Sequence, residues 1–293
     1  MNTKEKSISH LSLWIVMTFM ASSAAILTRF CGISSSSIGF WRVAGASIVL
    51  LPWWLFVVLK DNPKIIISKG AIITGIFLGL HFATWSWALL NSPLANASLF
   101  ISLQPAVAPI LGYWLNKDNL NKMEIIGTIL ACGGMIWILS SQILFSPEQI
   151  IASLVTIFSM LCCSFYFVLG RKFRSTTHII LFTEPVYISA SLVQFIAAVI
   201  FENGIKIGDS LTNRLSLLSI ILFPTVGGHT ISLFLLKDLK AHTVTLSIPL
   251  QFIIVTILGI ILFKEIPQIW FFPGALMVLT GVLMAILNSE KTK

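Results

Sequence analysis

Charged side chains are scarce in this sequence. Lys, Arg, Asp and Glu together make up 10% of its 293 residues, whereas hydrophobic residues make up 56% and the mean hydropathy is +0.94. A soluble globular domain carries about a quarter charged residues. So few charges cannot cover the surface of a soluble protein of this length, and the composition therefore predicts an all-α integral membrane protein.

Cysteine is also rare, and its spacing excludes two kinds of site. The four cysteines are Cys31, Cys132, Cys162 and Cys163. Three of them lie in apolar runs, where cysteine behaves as a small buried hydrophobic residue. The adjacent pair Cys162-Cys163 has neither metal-ligand nor redox-motif spacing. We therefore expect no metal site and no cofactor.

The motifs of several enzyme classes are missing. The sequence has no H-E-x-x-H, no G-x-S-x-G, no paired intramembrane aspartates and no nucleotide-binding loop. These absences disfavour a membrane enzyme and transport driven by ATP on this chain. Secondary transport, driven by a substrate or ion gradient, is the simplest function left, with a channel or a sensor as alternatives.

Long apolar segments fill most of the chain. About 20 helical residues cross the hydrocarbon core of a bilayer, and turn residues such as Asn91-Ser92-Pro93 separate the segments. We predict ten transmembrane helices, at residues 11–30, 38–59, 70–90, 94–115, 122–141, 149–170, 178–201, 215–236, 243–263 and 268–288.

The basic residues alternate between the two sides that these helices define. With a cytoplasmic N-terminus, 14 of the 19 Lys and Arg residues lie inside and five lie outside or at outer helix ends. Basic residues favour cytoplasmic loops, so we expect both termini in the cytoplasm and a location in the cytoplasmic (inner) membrane. The formal charge of +8 then reflects topology and no nucleic-acid binding.

The two halves of the chain resemble each other after a shift of 147 residues. Under this shift Gln104 aligns with Gln251 and Asp118 with Glu265. The aligned glycine pairs are Gly112 and Gly259, Gly127 and Gly274, and Gly134 and Gly281. We predict two inverted five-helix repeats, residues 1–145 and 146–293, because five is odd and equivalent helices then cross the bilayer in opposite directions.

Several motifs resemble a known family. They are Ser92-x-x-x-Asn96-Ala97-Ser98-Leu99, Gln104-Pro105, Gly112, Asp118, Gly127 and Gly134, with Phe40-Trp41-Arg42 upstream and the second copy from Ala241–Leu246 to Gly281. This pattern is similar to the EamA domain of the drug/metabolite transporter superfamily, over nearly the whole chain. The resemblance implies transport of a small polar metabolite such as an amino acid, with export favoured and uptake or exchange as the alternative. Two departures are Asp118, where the family often has Glu, and Phe252, where Pro105 would repeat.

Polar side chains interrupt the apolar surface of the fourth and ninth predicted helices. Asn96 and Gln104 lie on one face of the fourth helix, and Ser247 and Gln251 lie on the equivalent face of the ninth. We expect the two glutamines to face each other and bind substrate, because an amide both donates and accepts hydrogen bonds. The alternative is that they only join helices.

Two histidines and a tryptophan are further candidates for substrate binding. His81 and Trp85 are four residues apart and share a helix face, and His229 lies one residue from the repeat equivalent of His81. Histidine can change charge near neutral pH, so His81 is also a candidate for proton coupling. A neutral histidine with a local hydrogen-bond partner is the alternative for both.

Prolines and one acidic residue complete the candidates. Pro105 and Pro249 remove backbone hydrogen bonds and are predicted hinges, with a static kink as the alternative. Glu184 lies inside the seventh predicted helix and is a candidate proton carrier, or else an ion-pair partner of Arg171 or Arg174.

The remaining basic and glycine residues have simpler interpretations. Arg29 and Arg42 flank the first outer loop and are expected to anchor outer helix ends, with attraction of anionic groups as the alternative. Glycines are expected to permit close helix contacts, in the third helix and within each repeat. The oligomeric state is left open.

Overall fold

The computed structural model describes residues 3–61, 68–92, 94–140, 147–264 and 267–289, and all regular structure in these ranges is helical. The α-helices are named in chain order, and the π-helical segment among them is named π1. The helices are α1 (Thr3–Ser22), α2 (Ala24–Phe30), α3 (Ser35–Asp61), α4 (Lys69–Asn91), α5 (Leu94–Ser102), α6 (Gln104–Asn116), α7 (Lys122–Ser140), α8 (Pro147–Arg174), α9 (Ile179–Phe201), α10 (Leu211–Ile220), π1 (Ile221–Thr230), α11 (Ile231–Leu235), α12 (Ala241–Thr245), α13 (Ser247–Phe263) and α14 (Phe271–Leu287).

Eight helical segments in the described part of the chain are long and apolar enough to cross a bilayer. They coincide with eight of the ten predicted spans. The other two predicted spans correspond to α14, which has 17 residues, and to the pair α5 and α6, which is interrupted at Leu103. The all-α prediction is confirmed, and the count of ten spans stays a prediction.

The outer surface of the bundle is apolar and its interior contains polar groups. Large hydrophobic side chains are exposed along many of the helices, for example Phe56, Leu59, Trp114, Ile129 and Phe201. Arg42, Gln104 and Glu184 are at most 2% exposed. Lipid is the solvent that accommodates such an outer surface, because in water an exposed apolar area of this extent promotes association.

The helices α7 and α14, which are equivalent in the two repeats, pack against each other along four glycines. A Cβ atom on Gly127 would lie 2.4 Å from the carbonyl oxygen of Gly281, and one on Gly134 would lie 2.6 Å from that of Gly274. This pairing runs antiparallel, as inverted repeats require. The expectation that Gly127 and Gly274 pack within their own repeats was wrong, because this glycine seam joins one repeat to the other.

Equivalent helices also end alike. The helix α6 ends before Lys117 (φ 60°), and α13 ends before Lys264 (φ 57°), the residue that the 147-residue shift aligns with it. Each of these lysines donates its backbone N–H to a carbonyl one turn earlier, that of Tyr113 or Ile260. Side chains other than glycine rarely adopt this left-handed conformation, so the shared ending supports the internal repeat.

Both polar-faced helices are interrupted just before a proline. The interruption between α5 and α6 falls at Leu103, two residues before Pro105. The interruption between α12 and α13 falls at Leu246, three residues before Pro249. Proline is tolerated in a first helical turn, where its missing N–H has no helical partner.

The helix that repeats α4 in the second half has a different winding. Its middle ten residues form π1, in which backbone hydrogen bonds span five residues instead of four. A π turn therefore holds one residue more than an α turn. The segment that contains His229 is therefore wound differently from the part of α4 that contains His81. The sequence pattern did not predict the π-helix.

Candidate substrate cavity

A cavity of about 120 Å³ lies between the two halves of the bundle. Helices α1 to α6 form its wall on one side, and α8, π1, α11 and α13 form it on the other. The lining is mainly apolar, with aromatic rings from Phe82, Phe167 and Phe252 and a small number of polar side chains. This composition is typical of small-molecule sites.

Most of the residues predicted to bind substrate meet in this cavity. The six that line it are Gln104, Gln251, His81, Trp85, Ser247 and His229. They come from α4, α6, π1 and α13, which are far apart in sequence. The seventh, Asn96, belongs to α5, but its side chain lies outside the described part of the structure.

The two glutamines occupy different environments within the cavity. Gln104 is fully buried, and among the described residues its amide has no hydrogen-bond partner other than the Cys163 thiol. The Cys163 thiol, which lines the same cavity, is only a weak hydrogen-bonding group. Gln251 donates instead to Ser247 Oγ, 3.1 Å away on its own helix. Gln104 is therefore the amide that is ready to accept a ligand.

His81 is held in place by the neighbouring helix α8. Its Nδ1 lies 2.9 Å from Ser159 Oγ and 3.2 Å from the Ser159 carbonyl oxygen. The rings of His81 and Trp85 stack at an interplanar angle of 14°. His81 thus has the local partner that the alternative interpretation anticipated, and its ring stacks on Trp85, which also lines the cavity.

His229 lies in an aromatic cluster and lacks such a partner. Its ring meets Phe82 edge-on with centroids 5.0 Å apart, and it stacks on Phe167 at 6.4 Å. Its buried Nδ1 has no hydrogen-bond partner. This nitrogen is a polar atom available for a bound molecule.

Arg42 also lines the cavity, contrary to expectation. The side chain is 1% exposed, and its guanidinium carbon lies 3.9 Å from the centroid of the Phe82 ring. Its Nε donates to Thr225 Oγ1 over 3.3 Å, whereas its buried Nη1 has no hydrogen-bond partner. The prediction of a lipid-anchoring arginine was wrong, because α4 and π1 enclose the side chain.

The model of the EamA-like transporter family matches this chain twice, over residues 8–140 and 150–287. The chain belongs to the EamA-like transporter family. The predicted resemblance is thereby confirmed, and with it membrane transport as the activity class.

Proteins of similar sequence match this chain over both EamA units. The S-adenosylmethionine uptake transporter of Rickettsia bellii is 25% identical over 288 residues, which are 95% of this chain and 94% of that protein. The protein of the same description from Rickettsia prowazekii is 23% identical over 305 residues, 100% of this chain and 97% of that protein. A crystal structure that is 15% identical superposes with a TM-score of 0.76 over 96% of this chain and 97% of its own, which shows the shared fold.

Glu184 lies in the second EamA unit, outside the cavity lining. It is 2% exposed, one carboxylate oxygen accepts a hydrogen bond from Ser47 Oγ on α3, and the other has no partner. The anticipated ion pair is absent from the contacts of the described residues: Arg171 pairs with Asp118, and Arg174 donates to the Thr177 carbonyl.

Two buried ion pairs join the EamA units at one end of the bundle. Arg171 Nε lies 2.8 Å from Asp118, and its Nη1 donates to the Leu239 carbonyl over 2.6 Å. Lys240 Nζ lies 3.0 Å from Glu124. Each pair has its acidic residue in the first unit and its basic residue in the second. We call this the paired end.

The opposite end, where α3 begins and α9 ends, is joined differently. The Glu202 carboxylate accepts hydrogen bonds from the backbone N–H groups of Ser36 and Ser37 and from Ser35 Oγ at 2.8–3.3 Å. Burial alone would raise the pKa of Glu202, but hydrogen bonds from Ser34, Ser35 and Ser36 outweigh it and lower the pKa below its usual 4.5. The carboxylate therefore caps the start of α3 in its charged form.

Proposed function

We propose that this chain is a secondary transporter that takes up a small polar metabolite across the cytoplasmic membrane by alternating access. The chain crosses the membrane ten times with both termini inside, as repeats 1–145 and 146–293. The observation that carries the proposal is the cavity between the repeats, where the buried Gln104 amide has only a weak thiol contact among the described residues.

Uptake replaces export as the favoured direction. The sequence pattern alone favoured export, whereas the full-length relatives are described as S-adenosylmethionine uptake transporters. The substrate that we propose is therefore S-adenosylmethionine or a molecule of similar chemistry. The cavity supports this class: an amide can pair with a base edge, and the faces of Trp85 and Phe167 suit a flat or cationic group.

Alternating access needs hinges and a closure that opens. The interruptions before Pro105 and Pro249 are the proposed hinges, because α6 and α13 carry Gln104 and Gln251 beyond them. The paired end is the proposed closure on the cytoplasmic side, since its ion pairs join the two repeats. If water replaced the partner of each charged group in these ion pairs, the cavity would open toward the cytoplasm.

Proton coupling is assigned to Glu184. A buried carboxylate with one hydroxyl partner is most stable when protonated, whereas His81 is held by Ser159. Glu184→Gln imitates the protonated state, so we expect uptake to become independent of an imposed pH gradient while exchange of substrate continues. Uptake that still follows the gradient in this variant contradicts the assignment of Glu184.

The first experiment is counterflow of labelled S-adenosylmethionine into liposomes that contain the purified chain. A saturable carrier accumulates label transiently against unlabelled substrate inside, and a channel does not. We expect Gln104→Ala with Gln251→Ala to reduce the initial rate about tenfold or more, as loss of polar partners for a bound ligand predicts. The exposed Gln268 provides the matched control, Gln268→Ala. Equal rates in the double variant and in Gln268→Ala would mean that the two glutamines do not bind the substrate. Absence of counterflow in the wild type would reject S-adenosylmethionine as the substrate.

A further inference from the structure

Arg42 is the permanently charged side chain of the cavity wall. Among the described residues that line the cavity, no other is a lysine, arginine, aspartate or glutamate. The ion pairs found among the described residues are His10–Asp238, Arg171–Asp118 and Lys240–Glu124, and none of them involves Arg42. A cation 1% exposed inside a membrane protein therefore faces the cavity without a counter-charge.

The neighbours of Arg42 stabilise only part of its charge. The Phe82 ring lies under the guanidinium at 3.9 Å and supplies a cation–π contact. Thr225 accepts one N–H bond at 3.3 Å, at the edge of the normal range. The buried Nη1 keeps its N–H groups unsatisfied. Burying a charge without a partner is costly unless a ligand or water supplies it.

Guanidinium groups recognise carboxylates through two parallel N–H bonds. We propose that Arg42 binds the carboxylate of the transported molecule and so makes a free carboxylate a requirement for recognition. This inference rests on the proposed function. A phosphate offers similar oxygens, but it carries up to two charges, and the cavity wall supplies one permanent cation.

The test compares pairs of molecules that differ in the carboxylate. In liposomes with the full chain, unlabelled S-adenosylmethionine and its decarboxylated form compete for counterflow of labelled S-adenosylmethionine. We expect the decarboxylated form to compete about thirtyfold or more less well, as loss of one partner of a buried charge pair predicts. Adenosine 5′-monophosphate serves as the phosphate probe, and stronger competition by it than by S-adenosylmethionine overturns the carboxylate assignment.

The variants then locate the effect. Arg42→Gln should reduce the preference for the carboxylate form to about threefold or less, and Arg42→Lys should retain part of it, because a point charge replaces the planar fork. Arg29→Gln, at an exposed arginine outside the cavity, should behave as the wild type. An unchanged preference in Arg42→Gln, or equal competition by the two forms in the wild type, overturns the inference and leaves the proposed function in place.

Thermal unfolding keeps the inference testable if S-adenosylmethionine shows no counterflow. The wild-type chain in detergent is then heated with L-methionine or with its decarboxylated analogue 3-(methylthio)propylamine. Stabilisation by the amino acid alone, lost in Arg42→Gln but not in Arg29→Gln, supports Arg42 even though the proposed substrate fails. Equal stabilisation by both compounds, or by neither, overturns it. Arg42→Lys shows whether lost binding reflects the site or an unfolded chain.

Discussion

The helix α4 and the segment from α10 through π1 to α11 occupy equivalent places in the two EamA units, but they are built differently. The helix α4 is continuous over 23 residues and contacts α9 through Gly75 and Gly79. Its counterpart is π-helical over ten residues and contacts α1 through Gly227 and Gly228. A duplicated fold can therefore keep its symmetry at glycines and glutamines while the winding of one helix makes the two cavity walls unequal.

The difference concerns the polar groups that each wall presents. In α4, His81 is committed to Ser159. In π1, Thr225 accepts from Arg42 and donates to the carbonyl of Ile220, five residues earlier, and His229 keeps a free Nδ1. The continuous helix positions an aromatic surface, and the π-helix positions hydrogen-bonding groups. This division can be tested with the same substitution on each side.

The largest effect is expected from alanine at the packing glycines. A Cβ on Gly75 would lie 2.3 Å from the Val186 carbonyl oxygen, whereas one on Gly227 would lie 2.1 Å from the sulfur of Met20. Backbone cannot move aside, but the end of a methionine side chain can. Gly75→Ala should lower the free energy of unfolding by about 3 kcal/mol, and Gly227→Ala by about 1 kcal/mol or less. Thermal unfolding in detergent measures both, and equal losses would mean that the two contacts are equally rigid.

A smaller effect separates the two histidines. His81→Phe removes the hydrogen bond to Ser159 and should lower stability by about 1 kcal/mol. His229→Phe removes a buried unpaired atom, so stability should hold or rise while counterflow slows. The pair is measured by thermal unfolding and by transport on the same preparations. Slow transport with unchanged stability in His81→Phe would reverse the assignment of roles.

The smallest effect concerns the first turns of the compared helices. Ser210 and Asn213 bond reciprocally at the start of α10, and Ser68 Oγ accepts one bond from Gly70 N–H at 3.2 Å at the start of α4. Ser210→Ala should cost about 0.5 kcal/mol, the low end for loss of a helix cap, and Ser68→Ala about half of that. The unfolding temperatures of the two variants show which loses more stability. A larger loss of stability in Ser68→Ala would show that α4 depends on the cap at its start more than α10 does.

Sequence reasoning located the cavity because polar groups are costly inside a bilayer. Gln104, Gln251 and His81 lie in apolar segments, where a polar side chain is expected to face a cavity or another helix, and the structure places all three on one cavity. The interruptions before Pro105 and Pro249 follow from the missing N–H of proline. The polarity of a side chain and the missing N–H of a proline are properties of single residues in their own helices. One sequence is therefore enough to infer their effects.

Contacts between distant helices were not accessible in this way. Arg42 lies two turns into α3, where the sequence fits a lipid anchor as well as a buried charge. Only the placement of Phe82 and Thr225 around it decides between them. For Glu184 the alternative to a proton carrier was an ion pair with Arg171 or Arg174, but Arg171 pairs with Asp118, a residue 53 positions away. The sequence pattern gave no indication of the π-helix.

The glycine seam has a consequence for how this sequence can change over generations. A side chain on Gly127 would collide with the backbone of Gly281, and a side chain on Gly281 would collide with that of Gly127; Gly134 and Gly274 oppose each other in the same manner. Each of the four positions therefore excludes a side chain, and in each case the obstacle is an atom of the other half of the chain. Among descendants of this protein, a side chain at one of these glycines is expected to be inherited together with a second substitution that moves α7 and α14 apart.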